Sequence, residues 1–161
     1  MDTLVVYYSM NGNTAYTARK IASALNADLL EIKPVREYPD KGVKKFLWGG
    51  KSAVMAETPE LQPYEFDPEK YSTVIIGFPV WAGNVAPPIR TFARGNLQAL
   101  KGKRLAAFAC QGGRGAQRAF AKLAALLGMD GFAALLVLND PKDRPDAGND
   151  AKINEFCDKC R

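Results

Sequence analysis

Five short apolar segments alternate with stretches of helical periodicity along this chain, and this alternation restricts its possible folds more than any other feature. The segments span residues 4–8, 28–32, 73–78, 104–110 and 132–138, and polar or glycine-containing turns bound them. Short apolar runs of this kind are typical of buried strands. Strands that alternate with helices favour a parallel α/β sheet with right-handed crossovers. The third segment, TVIIGF, is unbroken in its apolar character, which is typical of a strand buried on both faces.

The intervening segments carry the period of amphipathic helices. After the first strand the apolar positions are Ala18, Ile21, Ala22 and Leu25. A similar pattern lies within residues 116–127, the pair Pro87-Pro88 suits the first turn of another helix, and a last helix is predicted over 147–159. Residues 41–56 are also helix-like but irregular, and the pair Gly49-Gly50 weakens that prediction.

Length and composition fit one globular domain over residues 1–161. With 161 residues, of which 47% are hydrophobic, the chain is long enough to bury a large core, and disorder is not expected. No apolar run approaches the roughly 20 residues that a membrane span needs, and the start shows no basic leader or cleavage site. We therefore expect a cytoplasmic protein without a membrane span.

The cysteine content and the absence of histidine exclude several kinds of site. Cys110, Cys157 and Cys160 are sparse and odd in number, unlike a secreted disulfide framework. One chain with these residues cannot supply four Cys/His ligands for zinc, so no metal site is expected. Serine–histidine and cysteine–histidine hydrolases are excluded because both need an imidazole.

The positive charge is concentrated in one segment. The chain holds 22 basic and 17 acidic residues, for a net charge of +5, but residues 71–129 contain no acidic residue. The basic residues of that segment are Arg90, Arg94, Lys101, Lys103, Arg104, Arg114, Arg118 and Lys122. Two interpretations are open: a solvated basic face, or a surface that attracts an anionic partner or substrate. Nucleic acid is not expected as a partner, because no arginine-rich tract or nucleic-acid-binding motif is present.

The loop after the first predicted strand is rich in hydrogen-bond donors. Its sequence, SMNGNT, contains Ser9, Asn11, Gly12, Asn13 and Thr14. Glycine lets the backbone approach a ligand closely, and the following helix points free N–H groups and its positive dipole end at the loop. Such a loop suits a phosphate group, even though it contains no lysine. The alternative is an ordinary turn in which Thr14 caps the helix.

A second loop, residues 79–86, places a tryptophan immediately beyond the third predicted strand. Trp81 has two interpretations: it packs against a neighbouring loop, or it is a platform for a flat conjugated ligand. Gly83 and Asn84 would allow backbone and amide contacts with the same ligand. Because the carboxyl ends of parallel strands lie at one edge of a sheet, this loop is expected to meet residues 9–14 there.

Two other glycine-containing stretches match nucleotide-binding motifs only in part. GGKS, at residues 49–52, ends like the phosphate loop of nucleoside triphosphatases, but Lys45 stands where that motif needs glycine and no strand precedes it. GRG, at residues 113–115, begins like a dinucleotide fingerprint, but Arg118 occupies the third glycine position. We interpret neither stretch as a nucleotide site.

The sequence CDKC near the end of the chain offers a choice between a redox dithiol and core packing. Ile153, Phe156, Cys157 and Cys160 share one face of the predicted helix. Free cysteine is often a small buried hydrophobe, and the thiol pKa is usually lowered at a helix start rather than at a chain end. Core packing is the preferred interpretation.

Two loops of the chain resemble the flavin-binding loops of the flavodoxin family. VVYYSMNGNTAYTARKIA is similar to the family's phosphate loop: a hydrophobic and an aromatic residue, Ser-x-x-Gly-x-Thr, then alanine in the helix. YSTVIIGFPVWAGNVAPPIRTF resembles the second flavin-contacting loop, in the variety with Pro-x-Trp and a Pro-Pro helix start. The resemblance covers nearly the whole chain. It implies a three-layer sandwich with helices on both faces of a five-stranded parallel sheet, in the order 2-1-3-4-5 known for flavodoxin, and FMN at the sheet edge.

The resemblance also implies which residues hold FMN. The phosphate would be held by Ser9, Asn11, Gly12, Asn13 and Thr14. The isoalloxazine would be lined by Pro79, Val80, Trp81, Ala82, Gly83 and Asn84, with the indole against one face. Its pyrimidine edge would be bordered by Cys110, Gln111, Gly112, Gly113 and Gly115. FMN is favoured over FAD because nothing is suited to an adenosine, and no side chain is assigned a catalytic role.

Two departures from the family pattern leave the activity open. The loop at residues 111–115 lacks the second aromatic residue that many electron-carrier flavodoxins place on the other flavin face, and Arg114 makes it basic where those carriers are acidic. The preferred function is an FMN electron-transfer protein that works with a redox partner protein. The alternative is an FMN-dependent NAD(P)H oxidoreductase that stacks a quinone-like small molecule on the open face. A non-redox interaction domain with an empty site is the third possibility.

Overall fold

The computed structural model describes residues 2–39 and 56–161. Within these residues the strands are β1 Thr3–Tyr7, β2 Asp28–Glu31, β3 Thr73–Trp81, β4 Asn84–Val85, β5 Arg104–Gln111 and β6 Leu135–Asn139. The helices are α1 Asn13–Leu25, α2 Pro87–Gly95, α3 Leu97–Leu100, α4 Ala116–Leu127 and α5 Asn149–Cys160, with a 3₁₀ helix at Pro68–Lys70. The GGKS stretch lies outside the described residues, and so does the predicted helical segment 41–56, apart from Ala56.

Five strands form a parallel sheet in the order β2-β1-β3-β5-β6. These are the five predicted strands, so the predicted order 2-1-3-4-5 is confirmed. β4 stands outside that series and pairs antiparallel with the end of β3. The chain leaves β1 toward one edge of the sheet and returns on its other side at β3. The carboxyl ends of β1 and β3 therefore flank the switch point at which open α/β sheets bind ligands.

Helices cover both faces of the sheet, because strand residues alternate between two apolar cores. Val5, Ile75 and Phe108 belong to the core that α1 and α5 cover. Val6 and Ile76 belong to the core that α2 and α4 cover. The alternation confirms the predicted three-layer arrangement, in which the central strands β1, β3 and β5 are buried from both sides.

The CDKC stretch lies on the buried face of α5. Ile153, Phe156, Cys157 and Cys160 are each 4% exposed or less, in the core shared with α1. Burial raises the pKa of the Cys157 thiol and raises that of Cys160 to about 11. Neither group is presented to solvent as a reactive thiolate, in agreement with the core-packing interpretation.

The structure corrects the predicted end of β3. The prediction ended this strand at Phe78 and made residues 79–86 a loop, but the strand continues to Trp81 and turns back through β4. Ala82 and Gly83 form the two-residue turn, with φ values of 50° and 71°. Positive φ at both central positions is typical of type I′ hairpins, which usually place asparagine or aspartate where this chain has alanine. The hairpin was missed because that signal is absent.

The other boundaries differ from the prediction by three residues or fewer. β6 begins at Leu135 instead of residue 132, and α5 begins at Asn149 instead of residue 147. The single-turn helix α3 was not predicted. α2 begins at Pro87, as the proline pair predicts. None of these shifts removes a predicted site residue from the carboxyl edge of the sheet.

Candidate functional site

The carboxyl ends of four parallel strands bring four loops to one edge of the sheet. We call them the first loop (residues 9–14), the hairpin (residues 79–84), the third loop (residues 111–115) and the fourth loop (residues 140–144). The hairpin and the third loop touch through their backbones, because a Cβ added to Gly115 would lie 2.8 Å from the Gly83 Cα. Hydrogen bonds join the fourth loop to the first and third loops. The structure thus gathers the predicted site residues at one edge.

The backbone of the first loop depends on Gly12. Its φ of 96° lies in the left-handed region that favours glycine, and it is the N-cap residue of α1. Ser9 Oγ accepts a hydrogen bond from the N–H of Ala15 at 3.1 Å. Thr14 is 1% exposed and lies within hydrogen-bonding reach of the Cys110 thiol. Ser9, and not Thr14, therefore supplies the side chain that bonds a first-turn N–H of α1.

Asn13 fastens the first loop to the fourth loop. Its side chain is buried, and Oδ1 accepts hydrogen bonds from the N–H groups of Lys142 and Asp143 at 2.9 and 3.2 Å. Its Nδ2 donates to Asp143 Oδ2 at 2.9 Å and to Asn11 Oδ1 at 3.3 Å. All four hydrogen-bonding positions of the amide are thereby used within the protein.

Lys142 lies over the first loop, although no sequence pattern singles it out. Its Nζ donates to the Asn11 carbonyl at 3.1 Å and lies 3.3 Å from Asp143 Oδ1. A Cβ added to Gly12 would be 3.1 Å from the same Nζ. The first loop, which has no lysine of its own, obtains one from the loop after β6. The available signal was topological, since residues that follow the last parallel strand share an edge with those that follow the first.

Two tyrosines pack against Trp81, the last residue of β3. The Trp81 ring centroid is 5.9 Å from that of Tyr8 and 5.2 Å from that of Tyr38, at interplanar angles of 88° and 74°. Edge-to-face contacts of this kind are favourable. Trp81 remains only half-buried, so the tyrosines support the indole while part of its surface stays accessible. Sequence reasoning missed the contacts of both tyrosines with Trp81. Tyr8 was interpreted as a strand residue and as the aromatic residue of the phosphate-loop pattern, and Tyr38 lies in no periodic segment.

Asn84 holds the hairpin together. Its Nδ2 donates to the Ala82 carbonyl at 2.9 Å, and its Oδ1 accepts a hydrogen bond from Lys122 of α4. Pro79 and Val80 lie within β3, where Pro79 is in register with Cys110 of β5. The hairpin is therefore an extension of the sheet and not a free loop.

The third loop repeats the architecture of the first. Gly115 is the N-cap residue of α4 with a φ of 111°. Gln111 Oε1 accepts a hydrogen bond from the N–H of Ala116 at 3.0 Å. The Gly112 carbonyl accepts a hydrogen bond from Arg144 of the fourth loop at 2.7 Å. The glycines between Gln111 and Arg114 are exposed, and nothing aromatic covers this side of the site from within the loop.

Cys110 lies beneath the third loop as a buried thiol. Its Sγ is 3.5 Å from Thr17 Oγ1 of α1, and the residue is 4% exposed. Burial raises the pKa of this thiol to about 11, while hydrogen bonding with Thr17 and Thr14 acts in the opposite direction. Cys110 is therefore a small protonated side chain at neutral pH.

Two kinds of site are not found in residues 2–39 and 56–161. No helix there is long and apolar enough to cross a membrane. No group of three or more Asp, Glu, Cys or His side chains there could hold a metal ion.

The strand order places this protein among the doubly wound α/β proteins, which bind ligands at the switch point. Within that class the chain belongs to the flavodoxin family, whose model matches residues 2–148. This match confirms the resemblance that the first loop and the hairpin indicate in the sequence. No curated protein sequence matches the chain.

Solved structures of flavoproteins share the fold. A flavoprotein from Bacteroides eggerthii DSM 20697 is similar with a TM-score of 0.75 and 24% identity, over 98% of this chain and 96% of its own. A flavoprotein from Lactobacillus acidophilus NCFM, solved in complex with FMN, has a TM-score of 0.65 and 26% identity, over 88% of this chain and 94% of its own. A flavodoxin from the domain Archaea has a TM-score of 0.60 and 18% identity, over 98% of this chain and 94% of its own.

Proposed function

We propose that this protein binds FMN at the carboxyl edge of its sheet and transfers electrons through it to or from a redox partner protein. The observation that carries the proposal is that the first loop and the hairpin follow the carboxyl ends of β1 and β3, which flank the switch point, in a chain of the flavodoxin family. A protein of the same fold has been solved with FMN bound. When bound, FMN supplies the redox chemistry, and the protein supplies orientation and electrostatics.

The first loop would hold the phosphate of FMN. The first-turn N–H groups of α1 have no partners within the helix, and Gly12 has no side chain that would keep an anion away from the backbone. Lys142 Nζ, which donates to the Asn11 carbonyl, could donate to a phosphate oxygen instead. Its positive charge would then compensate part of the negative charge of the phosphate. Ser9 and Asn13 would act mainly by fixing the loop, since their side chains already bond within the protein.

The hairpin and the third loop would hold the isoalloxazine. The indole of Trp81, supported by Tyr8 and Tyr38, offers a flat surface against one face of the ring. The residues assigned to the pyrimidine edge are Cys110, Gln111, Gly112, Gly113 and Gly115. No side chain is needed as a general base, and the protonated Cys110 thiol would contribute its small size.

A second candidate function is an FMN-dependent NAD(P)H oxidoreductase. It is favoured by the third loop, where exposed glycines stand in place of an aromatic residue and would leave one flavin face open. A nicotinamide or a quinone-like acceptor would stack on that face. The carrier remains our first proposal because the family match concerns flavodoxins.

Anaerobic stopped-flow mixing of the FMN-loaded protein with NADH or NADPH distinguishes the two functions. For a carrier we expect the visible absorbance of the flavin to persist with either nucleotide and to bleach with dithionite. Rapid bleaching by a nicotinamide nucleotide, followed by turnover on a quinone, would contradict the carrier proposal and support the reductase. A purified protein that is colourless and does not bind added FMN would overturn both functions.

A further inference from the structure

Three basic residues form a ridge along one side of the hairpin. Arg114, Arg118 and Lys122 follow one another at intervals of four residues, and the last two lie on α4. Arg114 and Arg118 line a cleft of about 610 Å³ together with Ala82, Gly83 and Gly115. We call Arg114, Arg118 and Lys122 the basic ridge.

The basic ridge is in contact with the element that would line the flavin ring. Arg118 Cδ lies 3.1 Å from the position that a Cβ on Gly83 would take. Lys122 Nζ donates to Asn84 Oδ1 within the same hairpin. The positive charges therefore lie directly beside the electron-transfer site and not on a remote surface.

Among the described residues, no acidic side chain pairs with the basic ridge, whereas Lys20 pairs with Asp150 and Arg144 pairs with Asp140. All 17 acidic residues of the chain lie outside residues 71–129. Like charges four residues apart on a helix are destabilising. The arrangement thus lowers stability while it creates a positive potential at the hairpin.

A fourth basic residue, Arg90, lies near Tyr38, which packs on Trp81. Arg90 of α2 has a buried Nη1 atom without a hydrogen-bond partner among the described residues. Burial and the neighbouring Arg94 lower the pKa of its guanidinium group, and Tyr38 opposes the shift. Because Tyr38 neighbours Arg90 and packs on Trp81, positive charge is found near the indole as well as along the ridge.

We propose that the basic ridge is the docking surface for a redox partner protein whose own redox centre is surrounded by acidic side chains. The proposal rests on the proposed function, because the partner would exchange electrons with the flavin beside Trp81. Opposite charges would raise the rate of encounter by about 10 to 10³-fold at low ionic strength, and would orient the acidic surface over the ridge. Salt weakens this attraction, since the screening length falls to about 10 Å at 0.1 M.

Two forms of cytochrome c test the proposal with one haem centre and opposite surface charge. The native form is basic, and succinylation replaces its lysine charges with carboxylates. The FMN-loaded protein is reduced with dithionite, freed of excess reductant, and mixed with either ferric form, so that each haem iron takes one electron from the reduced flavin. The readout is the rate for the succinylated form divided by the rate for the native form, because a change in flavin potential acts on both rates alike. We expect this ratio to be highest at low ionic strength and to fall steeply with added salt.

Variants locate the docking surface. The double variant Arg114→Gln/Arg118→Gln should lower the ratio at low salt at least about five-fold. The control Arg94→Gln/Lys101→Gln removes the same charge from the last turn of α2 and from the residue after α3, at the amino end of the sheet, and should change the ratio less than about two-fold. Where the double ridge variant binds FMN less tightly, Arg118→Gln alone serves as the test.

The outcomes separate this proposal from the proposed function. A ratio that is insensitive to salt, or that the ridge variant leaves unchanged, shows that the basic ridge is not the docking surface. An equal fall in the control variant overturns the proposal as well, because net charge alone would then explain the preference. In these cases FMN binding and electron transfer still stand. Failure of the protein to bind FMN removes both proposals.

Discussion

The first and third loops share one backbone design and differ in what closes over them. In both, a glycine with left-handed φ is the N-cap residue of the following helix: Gly12 at 96° and Gly115 at 111°. In both, a side chain from the strand end accepts a first-turn N–H: Ser9 before α1 and Gln111 before α4. Lys142 lies over the first loop, whereas Gly112 and Gly113 of the third loop are exposed.

The difference lies in how firmly the fourth loop is fixed to each. Asn13 binds Lys142 and Asp143 through a buried amide. The third loop instead receives a backbone hydrogen bond from the N–H of Asp140 to the Gln111 carbonyl and the exposed Arg144 contact with the Gly112 carbonyl. The amino end of α1, which Gly12 caps, is thus partly covered because hydrogen bonds hold the fourth loop over it. Without that cover, the same geometry leaves an open face beside the basic ridge.

Among the substitutions considered, we expect Gly115→Ala to lower the free energy of unfolding most, because it disturbs the backbone contact between the third loop and the hairpin. Gly115→Ala adds a Cβ 2.8 Å from the Gly83 Cα, in a residue with a φ of 111°. Because steric overlap and left-handed strain act together, we expect the free energy of unfolding to fall by about 2–4 kcal/mol, as measured by urea denaturation.

Two further glycines provide the comparison for that variant. Gly12→Ala meets the flexible end of Lys142 and should cost only the strain, about 1–2 kcal/mol. Gly113→Ala has no neighbour within 4 Å and should stay within about 0.5 kcal/mol of the wild type. Equal losses of unfolding free energy at all three positions would show that the contact between the third loop and the hairpin does not contribute to stability.

A smaller change is expected in the affinity for FMN when Lys142, which lies over the first loop, is replaced. Lys142→Met should weaken FMN binding about 5–20-fold and leave riboflavin binding unchanged, because only FMN carries a phosphate for the ammonium group to contact. Quenching of flavin fluorescence measures both affinities. Lys152→Met, an exposed position on α5, is the matched control. A parallel loss of FMN and riboflavin affinity would mean that Lys142 shapes the loop and does not contact the phosphate.

A smaller effect is expected in the pH dependence of stability. Burial raises the pKa of the Cys110 thiol from its ordinary value of 9.0 to about 11. Above pH 9 the unfolded chain loses this proton while the folded protein retains it, so the contribution of Cys110 to stability falls as the pH rises toward 11. By pH 10 the loss is about 1 kcal/mol. In the FMN-free protein, Cys110→Ala should flatten the decline of unfolding free energy between pH 8 and 10, and an unchanged slope would contradict a buried thiol.

The smallest effect concerns the charge of the third loop. Arg114 is exposed, and its charge should favour the negative charge that a reduced flavin carries. Arg114→Glu should therefore make the potential for the second electron more negative by roughly 20–40 mV, as measured by anaerobic redox titration. Lys101→Glu, at the amino end of the sheet, should not shift it. Equal potentials in wild type and Arg114→Glu would place the guanidinium too far from the ring to act on it.

Local sequence patterns were enough to predict the sheet and the first loop. The apolar runs define the five parallel strands, and the strand order follows from the family resemblance carried by two loops. The hairpin was missed because Ala82 adopts a positive φ, and alanine is not a residue that predicts such a turn. Tyr38 and Lys142 were missed because each acts through contacts between residues far apart in the chain, namely with Trp81 and with the first loop. Loops that meet only through the sheet edge leave no periodic signal in the sequence.

A comparison of the affinities for FMN and riboflavin shows whether the first loop binds the phosphate of FMN. Flavin-free wild-type protein is titrated with each flavin, and the dissociation constants are obtained from the quenching of flavin fluorescence. The two flavins share the isoalloxazine and differ only in the phosphate. We predict that FMN binds at least about 100-fold more tightly, a difference of about 2.7 kcal/mol. Equal affinities would contradict the assignment of Ser9, Asn11, Gly12, Asn13 and Thr14 to the phosphate.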